Sequence, residues 1–214
     1  MRHRETEVKI RIADVGATRK LLRESGFRLL HRRSLEDNTL FDTPDRALRK
    51  VRSILRLRHY GRQWVVTFKG TPAADPHYKS RLELEIAVEQ PEVIRAIFEA
   101  LGFYPVFRYQ KYRSHYAPAH SAPADGEGRR KTSHEVALDE TPIGNFVELE
   151  GSRAWIYRVA RKLGYSRSDY STASYGALYL EECRKRDIPP GDMVFAASSS
   201  RRNILFSGKS VKTS

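Results

Sequence analysis

Apolar residues along this chain recur mostly at every second position, the period of a strand with one dry and one wet face. Residues 2–12 open with such a run: Val8 and Ile10 fall on one side, Glu5, Glu7 and Lys9 on the other. The alternation returns over Arg52–Tyr60, with Leu55 and Leu57 opposite Arg56 and Arg58. It returns again over Trp64–Gly70, with Trp64, Val66 and Phe68 opposite Lys69, and Gly61-Arg62 between the two runs is a short hairpin connection. It is clearest over Ser80–Val88, where Leu82, Leu84 and Ile86 alternate with Arg81, Glu83 and Glu85. Residues 27–42 and 103–117 read as extended, the latter carrying Lys111 and Arg113 two apart. Thr132–Asp139 and Asn145–Glu150 form a last strand pair around the turn Thr141-Pro142-Ile143-Gly144.

Other segments switch to the helical period. Asp14 caps a helix over about 15–25 that carries Leu21 and Leu22 and stops at Gly26. Pro91 opens a second, with Ile94, Ile97, Phe98 and Leu101 as its stripe and Gly102 as its stop. Ser152 caps a third whose Ile156, Val159, Ala160 and Leu163 form a buried stripe ended by Gly164; residues 174–185 suggest a fourth. Thr43-Pro44-Asp45 is a turn, 71–78 a Pro-containing loop and 118–131 a flexible loop. Beyond Asp187 the composition turns to Pro, Ser, Lys and Arg, so the expectation is a domain over 1–186 and a basic, disordered tail over 187–214. A weak repeat runs through the chain. Three Glu-x-Glu strands are each followed by a helix ending in Gly-aromatic, at Gly26-Phe27, Gly102-Phe103 and Gly164-Tyr165.

The strand faces sort cleanly. Charged positions collect on one side and Val8, Ile10, Leu55, Leu57, Val66, Phe68, Leu82, Leu84, Val147 and Leu149 on the other. An open antiparallel sheet with one solvated face produces this alternation. So does a barrel of about eight strands with room inside for one small ligand, whose charged lining must be paired with itself, a metal or a ligand. Periodicity permits both. Composition narrows the ligand: of 214 residues, 40% are hydrophobic and 30% charged, and the net charge is +13, which points to an anionic partner. The single cysteine, Cys183, excludes an intrachain disulfide and a cysteine-based zinc cluster and suits a reducing, cytoplasmic setting. No apolar run reaches membrane-spanning length, and no signal peptide is expected from the charged opening strand.

Six short segments, in order and with consistent facing, then make a signature. They are Glu5-Thr6-Glu7-Val8-Lys9, Leu55-Arg56-Leu57-Arg58, Thr67-Phe68-Lys69-Gly70, Arg81-Leu82-Glu83-Leu84-Glu85, Lys111-Tyr112-Arg113, and Leu138-Asp139 with Phe146-Val147-Glu148-Leu149-Glu150-Gly151. Over residues about 2–185 the chain resembles the CYTH superfamily of triphosphate tunnel metalloenzymes, which includes class IV adenylyl cyclases, thiamine triphosphatases and inorganic triphosphatases. The resemblance implies an α+β fold: a closed eight-stranded antiparallel β-barrel with helices packed outside. It implies Mg²⁺ or Mn²⁺ on Glu5, Glu7, Glu148 and Glu150, with Asp139 participating. It implies triphosphate contacts from Lys9, Arg56, Arg58, Lys69, Lys111 and Arg113. Lys9 stands beside the acidic pair, where it could orient or activate a nucleophile. Glu83 and Glu85 are placed to bind a second metal or orient water, and Arg81 to touch phosphate or pair with a carboxylate.

Hydrolysis of a triphosphate is favoured slightly over cyclisation of ATP to cyclic AMP and pyrophosphate; no nucleotide-specific motif decides between them. A reading of another class is a non-catalytic polyphosphate or nucleic-acid binding module. The Glu-x-Glu pairs argue against nucleic acid, since a surface built for phosphate backbones gains nothing from carboxylates facing them. The histidines are scattered without metal-ligand spacing and His134 reads as surface. Trp64 and Trp155 read as packing residues, as do Tyr78, Tyr104, Phe107 and Tyr109, with stacking on a ligand's ring as the alternative for those four. Arg129-Arg130-Lys131 and the tail residues Arg201, Arg202, Lys209 and Lys212 read as solvated charge.

Overall fold

The computed structural model describes residues 3–119 and 134–196. The expected loop at 118–131 and the basic residues at 129–131 and beyond 200 therefore lie wholly or almost wholly outside the described residues. The strands are β1 (His3–Ile12), β2 (Phe27–Asp42), β3 (Ile54–Tyr60), β4 (Gln63–Lys69), β5 (Lys79–Val88), β6 (Tyr104–Pro118), β7 (Glu135–Thr141), β8 (Gly144–Glu150) and the short β9 (Tyr170–Ser171). The helices are α1 (Val15–Glu24), α2 (Ala47–Lys50), α3 (Pro91–Ala100), α4 (Arg153–Lys162) and α5 (Tyr175–Arg186).

All strand pairs are antiparallel, and the order β5-β4-β3-β2-β6-β7-β8-β1 closes on itself through β1 and β5. Eight strands thus make a barrel, and β9 extends the β1 edge past the end of β5, opposite Lys9 and Ile10. The caps read from sequence hold the helices. Asp14 accepts from the Ala17 N–H and Ser152 from the Trp155 N–H. The repeat's three helix-ending glycines share positive φ near 80°, which a residue with a Cβ resists.

The barrel is inside out relative to an ordinary globule. Val8, Ile10, Val147 and Leu149 turn outward and are fully buried beneath Trp155, Ile156, Val159 and Ala160 of α4, with Leu22 of α1 in the same core. This dry layer forces the alternate, charged positions of β1 and β8 into the interior. The helices pack outside the barrel, but their cover is uneven. On β5, Leu84 is 47% exposed, and α3 buries none of its residues. The α3 stripe reaches the barrel through the edge-on contact of Phe98 with Phe41 at 5.1 Å, while Leu101 stays in solvent.

One end of the interior is filled by a second cluster: Tyr109, Ile143, Phe146, Tyr175 and Met193. Met193 belongs to the segment after α5. Its N–H donates to the Arg108 carbonyl at 3.0 Å and its carbonyl accepts from the Gln110 N–H at 2.8 Å, so residues around 193 lie as a short strap along β6. No helix among the described residues is long and apolar enough to cross a membrane.

Candidate active site

The side chains that alternate inward line a cavity of about 1320 Å³. Glu5, Glu7 and Lys9 come from β1, Arg56 and Arg58 from β3, Lys69 from β4, and Arg81, Glu83 and Glu85 from β5. Lys111 and Arg113 come from β6, and Glu148 and Glu150 from β8. Every candidate metal, phosphate or catalytic residue except Asp139 faces this space; Asp139 is wholly buried in the wall behind it.

The charges are satisfied by one another, as burial demands. Lys9 lies between Glu7 at 3.1 Å and Glu148 at 3.2 Å. Lys69 bridges Glu5 at 2.7 Å and Glu83 at 3.0 Å. Arg56 and Arg58 share Glu85, at 3.4 and 3.3 Å. Arg113 pairs with Glu148 and with Asp139, whose carboxylate also accepts from Lys111 at 3.0 Å and the Tyr175 hydroxyl at 2.6 Å. Asp139 is therefore saturated by cations and a phenol. Arg81 Nε stands 3.9 Å from Glu5, too far for a hydrogen bond, so the pair leaves that donor open to phosphate.

Burial and pairing oppose each other at these groups. Burial drives the Glu7 carboxyl toward neutrality, but Lys9 and Lys79 outweigh it and hold the group well below the usual carboxylate range. Glu148 behaves alike under Arg113 and Lys9. Burial also disfavours the Lys9 ammonium, yet Glu148 and Glu7 more than compensate and raise its pKa, so Lys9 is a fixed cation.

Four residues that the sequence reading passed over join the site (Glu36, Lys79, His115 and Tyr175), and so does Tyr109, read there as a packing residue. Glu36 on β2, 1% exposed, lies 3.4 Å from Lys111 and 3.7 Å from Arg58. Lys79 at the head of β5 reaches Glu7 at 3.1 Å, and there burial outweighs the attraction and brings its pKa down to about 8. Tyr109 accepts from Arg56 at 3.3 Å. Tyr175 holds Asp139, and His115 lines the cavity beside Glu135. Of the other aromatics, Tyr78 is in the core under α4, and Phe107 borders the cavity. His134 is half-buried, its ring centre 4.9 Å from that of Trp155.

Carboxylate oxygens of Glu5, Glu83 and Glu150 lie within 4.8 Å of one another. Such an all-oxygen set suits a hard divalent cation. The Lys69 ammonium between Glu5 and Glu83 is a positive charge already standing against two of the three.

A family profile described as CYTH domain matches residues 3–175. A protein of Methanocaldococcus jannaschii, whose name proposes an adenylate cyclase, is 32% identical over 149 residues, which make up 69% of this chain and 77% of that protein. A solved Vibrio parahaemolyticus protein, likewise named as a candidate adenylate cyclase, superposes with a TM-score of 0.68 at 18% identity, covering 83% of this chain and 98% of its own. A Pyrococcus horikoshii protein gives 0.66 at 23% identity over 83% and 99% of the two chains. A Hippeastrum protein, named for adenylyl cyclase and described as having a dominant triphosphatase activity, gives 0.55 at 19% identity over 87% and 97%.

Proposed function

The chain belongs to the CYTH family, and from that premise we propose that it is a divalent-metal-dependent hydrolase of a triphosphate drawn into its charged tunnel. The observation that carries this reading is a set of unmet donors. The Nε–H groups of Arg56, Arg58 and Arg81 are buried and have no acceptor among the described residues. Buried donors without partners are costly and rare in a folded chain. A polyanion threaded past β3 and β5 supplies the missing oxygens, with Lys9, Lys69, Lys111 and Arg113 as further phosphate contacts.

The ions fit as a set. Lys9, Arg56, Arg58, Lys69, Lys79, Arg81, Lys111 and Arg113 are matched in number by Glu5, Glu7, Glu36, Glu83, Glu85, Asp139, Glu148 and Glu150. A triphosphate alone would load this lining with negative charge, and a divalent cation bound with it would offset part of that charge. Glu5, Glu83 and Glu150 would hold Mg²⁺ or Mn²⁺, and Lys69, displaced from between Glu5 and Glu83, would turn to a phosphate oxygen. A cation held there would supply neutralisation of the charge that develops on the phosphate oxygens. Glu7 and Glu148 are metal ligands only once they release Lys9; otherwise they keep that ammonium aimed at the phosphates. We assign Asp139 to holding Lys111 and Arg113 in place. Lys9, fixed as a cation, contributes charge stabilisation and orientation and does not accept a proton.

Cyclisation of ATP is the second reading, favoured by the name of the Methanocaldococcus jannaschii relative. The Hippeastrum protein, cyclase by name and triphosphatase by dominant activity, weighs toward hydrolysis. Incubation with tripolyphosphate, ATP or thiamine triphosphate and either Mg²⁺ or Mn²⁺ separates them. Orthophosphate release supports hydrolysis, and cyclic AMP with pyrophosphate supports the cyclase. No turnover of any of the three, or turnover that survives a chelator, contradicts both.

A further inference from the structure

Attack of water on a triphosphate frees a proton, a positioned base speeds its removal, and the tunnel's lysines are poorly suited to that task. Lys9 is pinned as a cation by two carboxylates, and the Lys79 amine is committed to Glu7. His115 is different. It sits on β6 two residues past Arg113, on the same inward face, and is 5% exposed. Its Nδ1 contacts Glu135 Oε1 on the neighbouring β7. An ionised carboxylate can only accept, so Nδ1 carries the hydrogen and the neutral ring keeps its lone pair on Nε2. That Nε2 is buried and has no hydrogen-bond partner among the described residues. His115, Glu135 and His31 all line the cavity. Glu135 stands directly across the β7–β8 ladder from Glu150, one of the three convergent carboxylates. The dyad therefore borders the place where a phosphate held by Arg113 would meet water held near Glu150.

We propose that His115, oriented by Glu135, is the general base of this site. His115 Nε2 takes one proton from the attacking water as its oxygen bonds to the terminal phosphorus. The bond from that phosphorus to the bridging oxygen breaks, and the bridging oxygen leaves with its electron pair on pyrophosphate. Glu135 is a positioning residue: it fixes the ring's tautomer and favours the imidazolium that forms. The ionisable groups facing the ring are Glu135 from β7, His31 from β2 with ring centres 5.6 Å apart, and Tyr60 from β3 at 5.9 Å, with Arg113 along its own strand.

The inference rests on the hydrolase reading, and one experiment separates their failures. Full-length wild type, His115→Gln, His115→Ala and Glu135→Gln are assayed on tripolyphosphate across pH, with tripolyphosphate binding measured by calorimetry. The base role predicts that His115→Gln loses about 100-fold in kcat with the binding constant within a few-fold, and that the acid limb of the wild-type profile flattens. It predicts partial recovery of His115→Ala by added imidazole, which a merely structural histidine would not show. Glu135→Gln is expected to lose about 10-fold and to shift the acid limb. A His115→Gln enzyme that binds and turns over tripolyphosphate like wild type overturns the base while leaving the hydrolase reading standing. His115 variants that lose binding and activity together, with no imidazole rescue, also overturn it. Wild type inactive on every triphosphate overturns the hydrolase reading and the base with it.

Discussion

Two sets of carboxylates in the same barrel meet opposite fates. Asp139 is wholly buried and is met by Arg113, Lys111 and the Tyr175 hydroxyl. Glu5, Glu83 and Glu150 converge on one another, with Lys69 contributing a single ammonium between Glu5 and Glu83. The first arrangement holds cations still; the second has room in its charge balance for a metal. Residue type alone does not distinguish them, because both are acidic, inward-facing and flanked by basic residues. What differs is geometry: Asp139 is met by two cations and a phenol, whereas oxygens of Glu5, Glu83 and Glu150 lie within 4.8 Å of one another.

The largest effect that could break this comparison is expected from Glu148→Gln combined with Glu150→Gln. We expect kcat/KM to fall by about three orders of magnitude, with an unchanged circular dichroism spectrum, because charge stabilisation of phosphoryl transfer is lost while both side chains keep their volume. Activity within a few-fold of wild type would show that these carboxylates are not metal ligands. Asp139→Asn should act chiefly on the fold. Removing the carboxylate that Lys111 and Arg113 share leaves them only Glu36 and Glu148, and thermal denaturation should report a loss of about 3 kcal/mol. Lys9→Ala comes next: a loss of about 10- to 100-fold in kcat, exceeding any change in KM, marks it as acting in the transition state. A larger change in KM would make it a binding residue only.

The smallest effect is that of mild acid on the ligand-free protein. Glu7, Glu36 and Glu148 have pKa values lowered on folding, against burial, by the cations around them. The stability they contribute is complete above the unfolded carboxylate value of about 4.5 and is lost progressively as pH falls below it toward their folded values. Melting temperature should thus hold steady down to about pH 5 and decline below it. Glu36→Gln, which removes one of these carboxylates, should shallow the decline.

The facing of these strands was legible from alternation, because a dry outer layer under α4 and a wet interior leave opposite marks on successive residues of β1 and β8, while closure into a barrel came from the resemblance and not from periodicity. Where the marks fail, the reasons are local. Glu36 hides in β2, whose pairing with β6 shifts register between Leu29 and His31, between His31 and Ser34, and between Leu40 and Phe41, so no simple facing could be assigned. There Leu35 is exposed while Glu36 is buried, the reverse of the usual rule. Lys79 and His115 carried a usable signal: each continues an inward parity already read, Lys79 before Arg81 and Glu83, His115 after Lys111 and Arg113. Tyr175 carried none, since its hydroxyl meets Asp139 only because α5 folds back against the barrel end. The exposed stripe of α3 shows the converse limit: helical periodicity predicts the helix but not that a partner surface will cover it.

The most direct test of the central claim is a Mn²⁺ titration, followed by electron paramagnetic resonance in the presence of tripolyphosphate, on wild type, Glu83→Gln with Glu150→Gln, and Asp139→Asn. The account predicts that wild type and Asp139→Asn bind Mn²⁺ and that the double glutamine variant does not. Wild-type-like Mn²⁺ binding by the double variant would contradict it.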